Sequence, residues 1–427
     1  MKYLAIGLCA ALLQACLGPF ASSRRAGPLQ LHLNASSLTG KTELNWEEAP
    51  GRQFLHYQIE RSAGGEFVAL ARLEDPARTA YIDADIAGDT AYRYRVLARY
   101  GKGDKVTRTL ASSEGSVHFH RRAGVWPLPD GFRPTRLAVD SRGTVYAVGA
   151  GSGLVARFDA DGRRLPDLAF ADQPPACLET GTLDGPGLAL DSADNLYVVY
   201  NLPVEGAAPQ AAWCKFDADG RQLWQRPLQS IFARHIAIGG GDEIFIESIS
   251  QLQQFDADGQ LLQQKPIPAL LVSSLRFWGG FMSALVEPLH TEVGWQSPRL
   301  VVYNDQSRSG YERVLGRDPR SPEDRGNGLL LRPSDFAVEG GAGRAFVVNA
   351  GAGRIEVFRD GDYLTRWGTA GSAAGDFGFS GRAMVVDDIR SGSLAERQVV
   401  AGGIALAGGD FVFVADTFND RLQRFEQ

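Results

Sequence analysis

Lysine, cysteine and long apolar runs are all scarce in this 427-residue chain, and each scarcity excludes something. Only six of the 44 basic residues are Lys, and 50 acids outnumber them to leave a net charge of −6. No phosphate-seeking basic domain is present, which argues against a nucleic-acid partner. Four cysteines are too few for a disulfide scaffold, and a metal site from Cys alone is improbable. No apolar run reaches the ~20 residues that a membrane-spanning helix needs. There is no G-x-S-x-G elbow, no H-E-x-x-H helix and no P-loop, so three common catalytic devices are missing. What the chain does have is 50 Gly without a G-X-Y period, in a sequence that is 44% hydrophobic. That much apolar material excludes wholesale disorder, and so many turn residues point to an all-β protein.

The N-terminus reads as an address. Met1-Lys2 is a short positive region and residues 3–13 are apolar, so residues 1–15 have the pattern of an export signal. Leu13-Gln14-Ala15-Cys16 puts a small residue before a Cys and resembles the lipobox of bacterial lipoproteins. That resemblance implies cleavage before Cys16, acylation of its thiol and amine, and a lipid as the only membrane anchor. Leu17, in place of an Asp, implies the outer membrane. Ordinary signal cleavage beside an incidental Cys is the alternative. Residues 16–27 are small, polar and Pro/Gly-bearing, which suits a flexible tether. Cys9 would leave with the signal. Cys177 and Cys214 then remain for one disulfide in an oxidising compartment, two free buried thiols being the alternative.

Residues 28–121 hold short alternating segments at 29–33, 42–46, 56–61, 67–71, 92–98 and 116–120. Period-two alternation at this spacing predicts a β-sandwich. Trp46, Tyr57, Ile59 and the run Tyr92-Arg-Tyr94-Arg-Val96 resemble the second, third and sixth strands of a fibronectin type III domain. The resemblance implies a spacer, and no Arg-Gly-Asp adhesion motif is present.

Residues 124–427 are repetitive. A short apolar strand, a polar turn, a φYφφ strand and a third strand with an aromatic end recur, ending at Phe158, Phe216, Phe255, Tyr303, Phe358 and Phe425. Six such repeats, 39 to 67 residues apart, predict a six-bladed β-propeller. The run Phe411-Val-Phe-Val-Ala-Asp416-Thr-Phe-Asn419-Asp-Arg421-Leu-Gln-Arg-Phe425 resembles the NHL repeat, as does residues 345–358 with Asn349 for Asp. The connector 366–377 resembles that family's Gly-rich linker, and the earlier repeats are degenerate. The last repeat ends after its third strand. Its outer strand is therefore expected from residues 124–128, closing the ring on 421–425. Residues 383–387 and 403–407 compete for the sixth inner strand; the second is preferred, leaving 383–400 as an insertion on the rim.

Several motifs tempt a chemical reading. Asp-Ala-Asp-Gly follows Phe158, Phe216 and Phe255, yet none continues to the Glu of a calcium loop, so hairpin turns are expected. His118 and His120 share a strand face, where a solvated face is commoner than a metal pair. Asp416 and Arg421 are expected to tie two strands, as in NHL repeats. The charged stretch 305–332 is expected to be a rim loop or partner contact. Aligned inner strands put Arg136, Gly187, His235, Ser274, Asp335 and Gly403 at comparable positions, with Gly149, Tyr200, Ser248, Leu285, Asn349 and Asp416 ending the second strands. That set does not make a metal cage, and no metal or cofactor is expected. It offers a ligand site at one channel mouth from Arg136, Tyr200, Arg234, His235, Asp335 and Asn349.

The expected function is therefore a non-catalytic, lipid-anchored binding or scaffold protein of the cell envelope, presenting its propeller to an envelope protein, a peptide or a glycan. The alternative is a propeller hydrolase or lyase working at the channel mouth, with or without a divalent cation. Fold by itself does not choose between them.

Overall fold

The computed structural model describes residues 29–36, 40–49, 51–170, 176–178, 183–204, 207–248, 251–266, 271–278, 281–287, 298–303, 311–319, 321, 324, 326–340, 343–388, 393–408 and 410–427. Residues 1–15, the tether 16–27 and Cys16 lie outside them. Every described element is a strand except two single-turn 3-10 helices, Ala350–Ala352 and Thr417–Asn419. Among the described residues no helix is long and apolar enough to cross a membrane.

The first strands form two sheets. One orders Leu31–Ser36, Lys41–Trp46 and Ala80–Asp83; the other orders Val68–Leu73, Phe54–Ser62, Thr90–Lys102 and Lys105–Ala111, with Gly115–Phe119 also on Thr90–Lys102. Alternate residues of both sheets enter one core of Leu44, Trp46, Tyr57, Ile59, Tyr94 and Val96. Buried hydroxyls there are partnered: Tyr94 donates to Asp83 (2.8 Å), and Tyr57 accepts from the Ala49 N–H (2.8 Å). Burial without those partners would cost about 1–3 kcal/mol per group.

Six four-stranded antiparallel sheets follow as blades. Their inner strands are Pro134–Val139, Gly187–Leu190, Ala233–Ile238, Leu271–Trp278, Asp335–Glu339 and Gly403–Ala407. Each neighbours the next and the sixth returns to the first, so the ring is closed. One apolar core fills each of the six gaps between blades. The aromatic ends of the third strands supply Phe158, Phe216, Phe255, Phe358 and Phe425 to these cores. Burial of a Phe side chain contributes about 1.5–3 kcal/mol, so these repeats hold blade to blade as well as strand to strand.

Closure uses the expected strand. Arg122–Pro127 pairs antiparallel with Arg421–Glu426, matching Trp126 to Leu422 and Gly124 to Arg424. Trp126 then lies between Phe158 of the first blade and Phe413 of the sixth, at 5.3 and 5.2 Å between ring centroids. Gly162 makes room for it: a Cβ there would lie 2.2 Å from the indole nitrogen.

Turn chemistry follows the sequence. In the three Asp-Ala-Asp-Gly turns, the first Asp caps its own hairpin: Oδ1 of Asp159 accepts from the Asp161 and Arg163 N–H groups, and Asp217 and Asp256 repeat this. The following Gly takes φ of 87°, 89° and 78°, a conformation that is costly for other residues. A second device was not legible. Ser141 donates through its backbone and hydroxyl to Asp194 of the next blade, and Ser192 does the same to Asp242.

Residues 380–400 form an insertion with an unexpected partner. Ser380–Asp388 and Ser393–Val400 make a hairpin, and Ala176–Leu178 adds to it in parallel, followed by Leu183–Asp184. These strands come from the connectors into blades six and two. Ala383, Val385 and Val399 on their underside pack on Ala150.

Candidate functional site

In an antiparallel blade, the connectors into the inner strands and the turns between second and third strands share one face of the ring. The first residues of each inner strand therefore converge on the axis at that connector face. The register agrees with the alignment read from sequence in five blades, where Arg136 pairs with Val148, Gly187 with Val199, His235 with Glu247, Asp335 with Val348 and Gly403 with Ala415, each one residue before the expected strand end. In the fourth, Ser274 pairs with Leu285 itself, one residue out of step. The two glycines are there for space. A Cβ on Gly403 would lie 2.6 Å from the Thr135 carbonyl oxygen, and one on Gly187 2.6 Å from Val199 Cγ1.

The polar side chains of this ring bind one another or backbone carbonyls. Asp335, fully buried, accepts from the Ser274 hydroxyl (2.6 Å), the Ile404 N–H (3.0 Å) and Arg276 Nη2 (2.9 Å). Arg276 also donates through Nε to the Phe336 carbonyl (2.6 Å). Arg136 reaches from the first blade to the fourth, donating to the Ser273 carbonyl (2.8 Å) and to that of Thr135 (2.9 Å). His235 Nε2 donates to the Val272 carbonyl (2.9 Å). The space left between Arg136, His235, Ser274 and Arg276 is about 10 Å³. That holds about one water-sized probe and no substrate.

Only three of the six expected ligand residues therefore meet on the axis: Arg136, His235 and Asp335. Arg234, next to His235, is the extra residue of a β-bulge and lies 3.9 Å from Glu247, both side chains being buried. Tyr200 packs on Phe170 (5.0 Å) in the core between blades one and two, and burial raises its hydroxyl pKa. Asn349 holds a loop, accepting from the Leu331 N–H (2.6 Å) and donating to the Leu329 carbonyl (2.8 Å). Arg276 and Glu247 went unread. Arg276 was accessible to reasoning, because it stands two residues after Ser274 on the same strand face.

The connector face carries one larger opening of about 390 Å³ between blades five and six. Ala352, Gly353, Phe379, Ser380, Phe418 and Asn419 line it, over a stack of Phe377 on Phe379 (4.7 Å, 9°). The opening is at the small end of the range for ligand pockets. Behind it Asp416 accepts from Arg421 Nε (2.6 Å), Asn419 and Gln423, so the expected Asp416–Arg421 tie is present. Burial raises the Asp416 pKa, and Asn419 and Arg421 oppose that rise.

The Cys177–Cys214 disulfide is not formed. Cys214 is a free thiol in the core between blades one and two, where burial pushes its pKa up to about 12. The backbone of Cys177 runs in the other sheet, beside Val386. His118 and His120 do not form a pair on a wet face either: His118 lies 3.4 Å from Asp89, while His120 is buried. Among the described residues no three His, Cys, Asp or Glu side chains are placed to share a metal.

No family model matches the chain, and no curated protein does. Solved structures do show similarity. Virginiamycin B lyase from Staphylococcus aureus is 13% identical, with a TM-score of 0.42 over 71% of this chain and 98% of its own. The Pan2 WD40 domain from Neurospora crassa is 10% identical, with a TM-score of 0.41 over 70% and 91%. A gluconolactonase from Xanthomonas campestris is 12% identical, with a TM-score of 0.41 over 71% and 97%. Likeness this distant brings no activity or ligand to the chain, and the propeller rests on its own six sheets and closed ring.

Proposed function

We propose that this chain is a non-catalytic binding or scaffold protein of the bacterial envelope, anchored by a lipid on Cys16. In this reading the fibronectin-like N-terminal sheets act as a spacer and the NHL-like propeller presents its connector face to an envelope protein, a peptide or a glycan. One observation carries it: the axis, where propeller enzymes would need reactive groups, is filled by Asp335, Arg276 and Ser274 bonding to one another, with Arg136 tied to the Ser273 carbonyl. A carboxylate committed to three donors has little left to offer a substrate. The connector face, by contrast, is enlarged by the inserted sheet and holds the 390 Å³ opening. The leader pattern at 1–16 supports the anchor.

Affinity purification of the tagged protein from native membranes, with mass spectrometry, tests this reading. The expected result is an acylated N-terminal peptide beginning at Cys16, and a partner retained by wild type and lost on Phe418→Asp. A water-soluble, unacylated protein that recovers no partner, or a partner indifferent to that substitution, would overturn it.

A further inference from the structure

The chain passes from the N-terminal sheets to the propeller through residues 120–122, of which His120 is buried while Arg121 and Arg122 are exposed. His120 takes a left-handed φ of 47° and is fully buried. Its ring stacks on Trp367 of blade five (4.4 Å, 22°) and meets Phe346 edge-on (6.0 Å). Neither ring nitrogen has a hydrogen-bond partner. The same contact includes a hydrogen bond from the Gly88 N–H to the Arg366 carbonyl (2.8 Å) and one from Thr365 to the Ile86 carbonyl (3.1 Å). There is no room to relax, since a Cβ on Gly88 would meet Trp367 at 2.8 Å and His120 at 2.9 Å.

We infer that His120 makes this joint acid-sensitive: a proton on its ring releases the N-terminal sheets from blade five. A charged imidazole needs hydrogen bonds or a counter-ion when buried. The surrounding elements supply neither. Blade five presents Arg344, Glu339 and Arg366; the N-terminal loop presents Asp85 and Asp89; the passage and last strand add His118, Arg121, Arg122 and Glu426. Glu339 is bound to Arg344 (2.6 Å), and Glu426 to Arg121. Asp89 accepts from the Arg122 N–H (3.0 Å) and lies beside His118. Asp85 is exposed beside Arg61. A proton on His120 would meet Arg344 as a like charge.

Burial, with Arg344 adding to it, pushes the His120 pKa down to about 3 from an ordinary value near 6.5. The released form takes up the proton as pH falls below about 6.5, and the docked form does not. Docking is therefore unaffected above that pH and weakens progressively between about 6.5 and 3. The docked-to-released ratio falls by nearly tenfold per pH unit through most of that window. The interval from pH 6 to 5 lies inside that window, and substitution of His120 separates its share of any change there.

Hydrogen exchange of the full chain reads the ratio directly. The expected result is that protection of the Gly88 amide, corrected for intrinsic rate, falls close to tenfold from pH 6 to 5 in wild type. It stays level in His120→Phe, which cannot charge, and in His120→Asn, which tolerates the left-handed backbone. Near-UV circular dichroism at pH 7.5 establishes that each variant is folded, and either one suffices. Level protection in wild type, or an equal fall in a folded variant, would overturn the inference.

Discussion

Replacing Asp335 by Asn tests whether the axis is a structural plug. The substitution keeps the shape and removes the charge that faces Arg276 at 2.9 Å. It also turns one acceptor oxygen into an amide donor. The Ser274 hydroxyl, the Ile404 N–H and Arg276 all donate to the carboxylate, so the new N–H₂ must oppose one of them. Removing one member of a buried ion pair costs about 3–5 kcal/mol, and an unmatched buried donor about 1–3 kcal/mol. The two overlap, and the Arg276 side chain is 24% exposed, so water recovers part of the loss. The net expectation is about 3 kcal/mol, a large share of a total of about 5–15 kcal/mol. At about 2–4 °C per kcal/mol the propeller transition should fall by about 6–12 °C. Thermal and urea unfolding followed by tryptophan fluorescence would measure it. A midpoint within about 1 °C of wild type would refute the reasoning, because it would mean the carboxylate is hydrated and available to a ligand.

Two further outcomes follow from the ring and its cores. Trp126→Ala removes the side chain that bridges blades six and one, with an expected cost of about 3–5 kcal/mol; amide exchange should accelerate first in Arg421–Glu426, its partner strand. Iodoacetamide should leave Cys214 unmodified in the native protein at pH 8, and label it after denaturation, because burial holds the thiol protonated with a pKa of about 12.

Much of the fold was legible because each blade repeats a phrase whose aromatic end has one structural duty. Phe158, Phe216, Phe255, Phe358 and Phe425 all close an inter-blade core. Closure was legible from arithmetic: a last repeat one strand short needs a strand, and 124–128, expected to supply it, is adjacent to the first blade. The inserted sheet was hidden, since Ala176–Leu178 and Ser380–Asp388 lie far apart in sequence and pair in parallel. The site was half legible for the same geometric reason. Inner-strand alignment carries Arg136, His235 and Asp335 to the axis, whereas Arg234 falls in a β-bulge and meets Glu247. Tyr200 lies inside a second strand that runs on to Val204, Asn349 ends its strand, and their side chains serve a core and a loop. The disulfide failed because two cysteines left over by elimination need not be neighbours, and Cys214 is a core residue of blade two.

The central claim is that the propeller axis is sealed by its own side chains and that the molecule works by binding. Calorimetry of the full chain in excess chelator, then in calcium and in zinc, tests it most directly. A bound ion at a hundred times its dissociation constant would stabilise the fold by about 2.7 kcal/mol. The account expects the same propeller midpoint in all three. A rise of several degrees with either metal, abolished by Asp335→Asn, would contradict it.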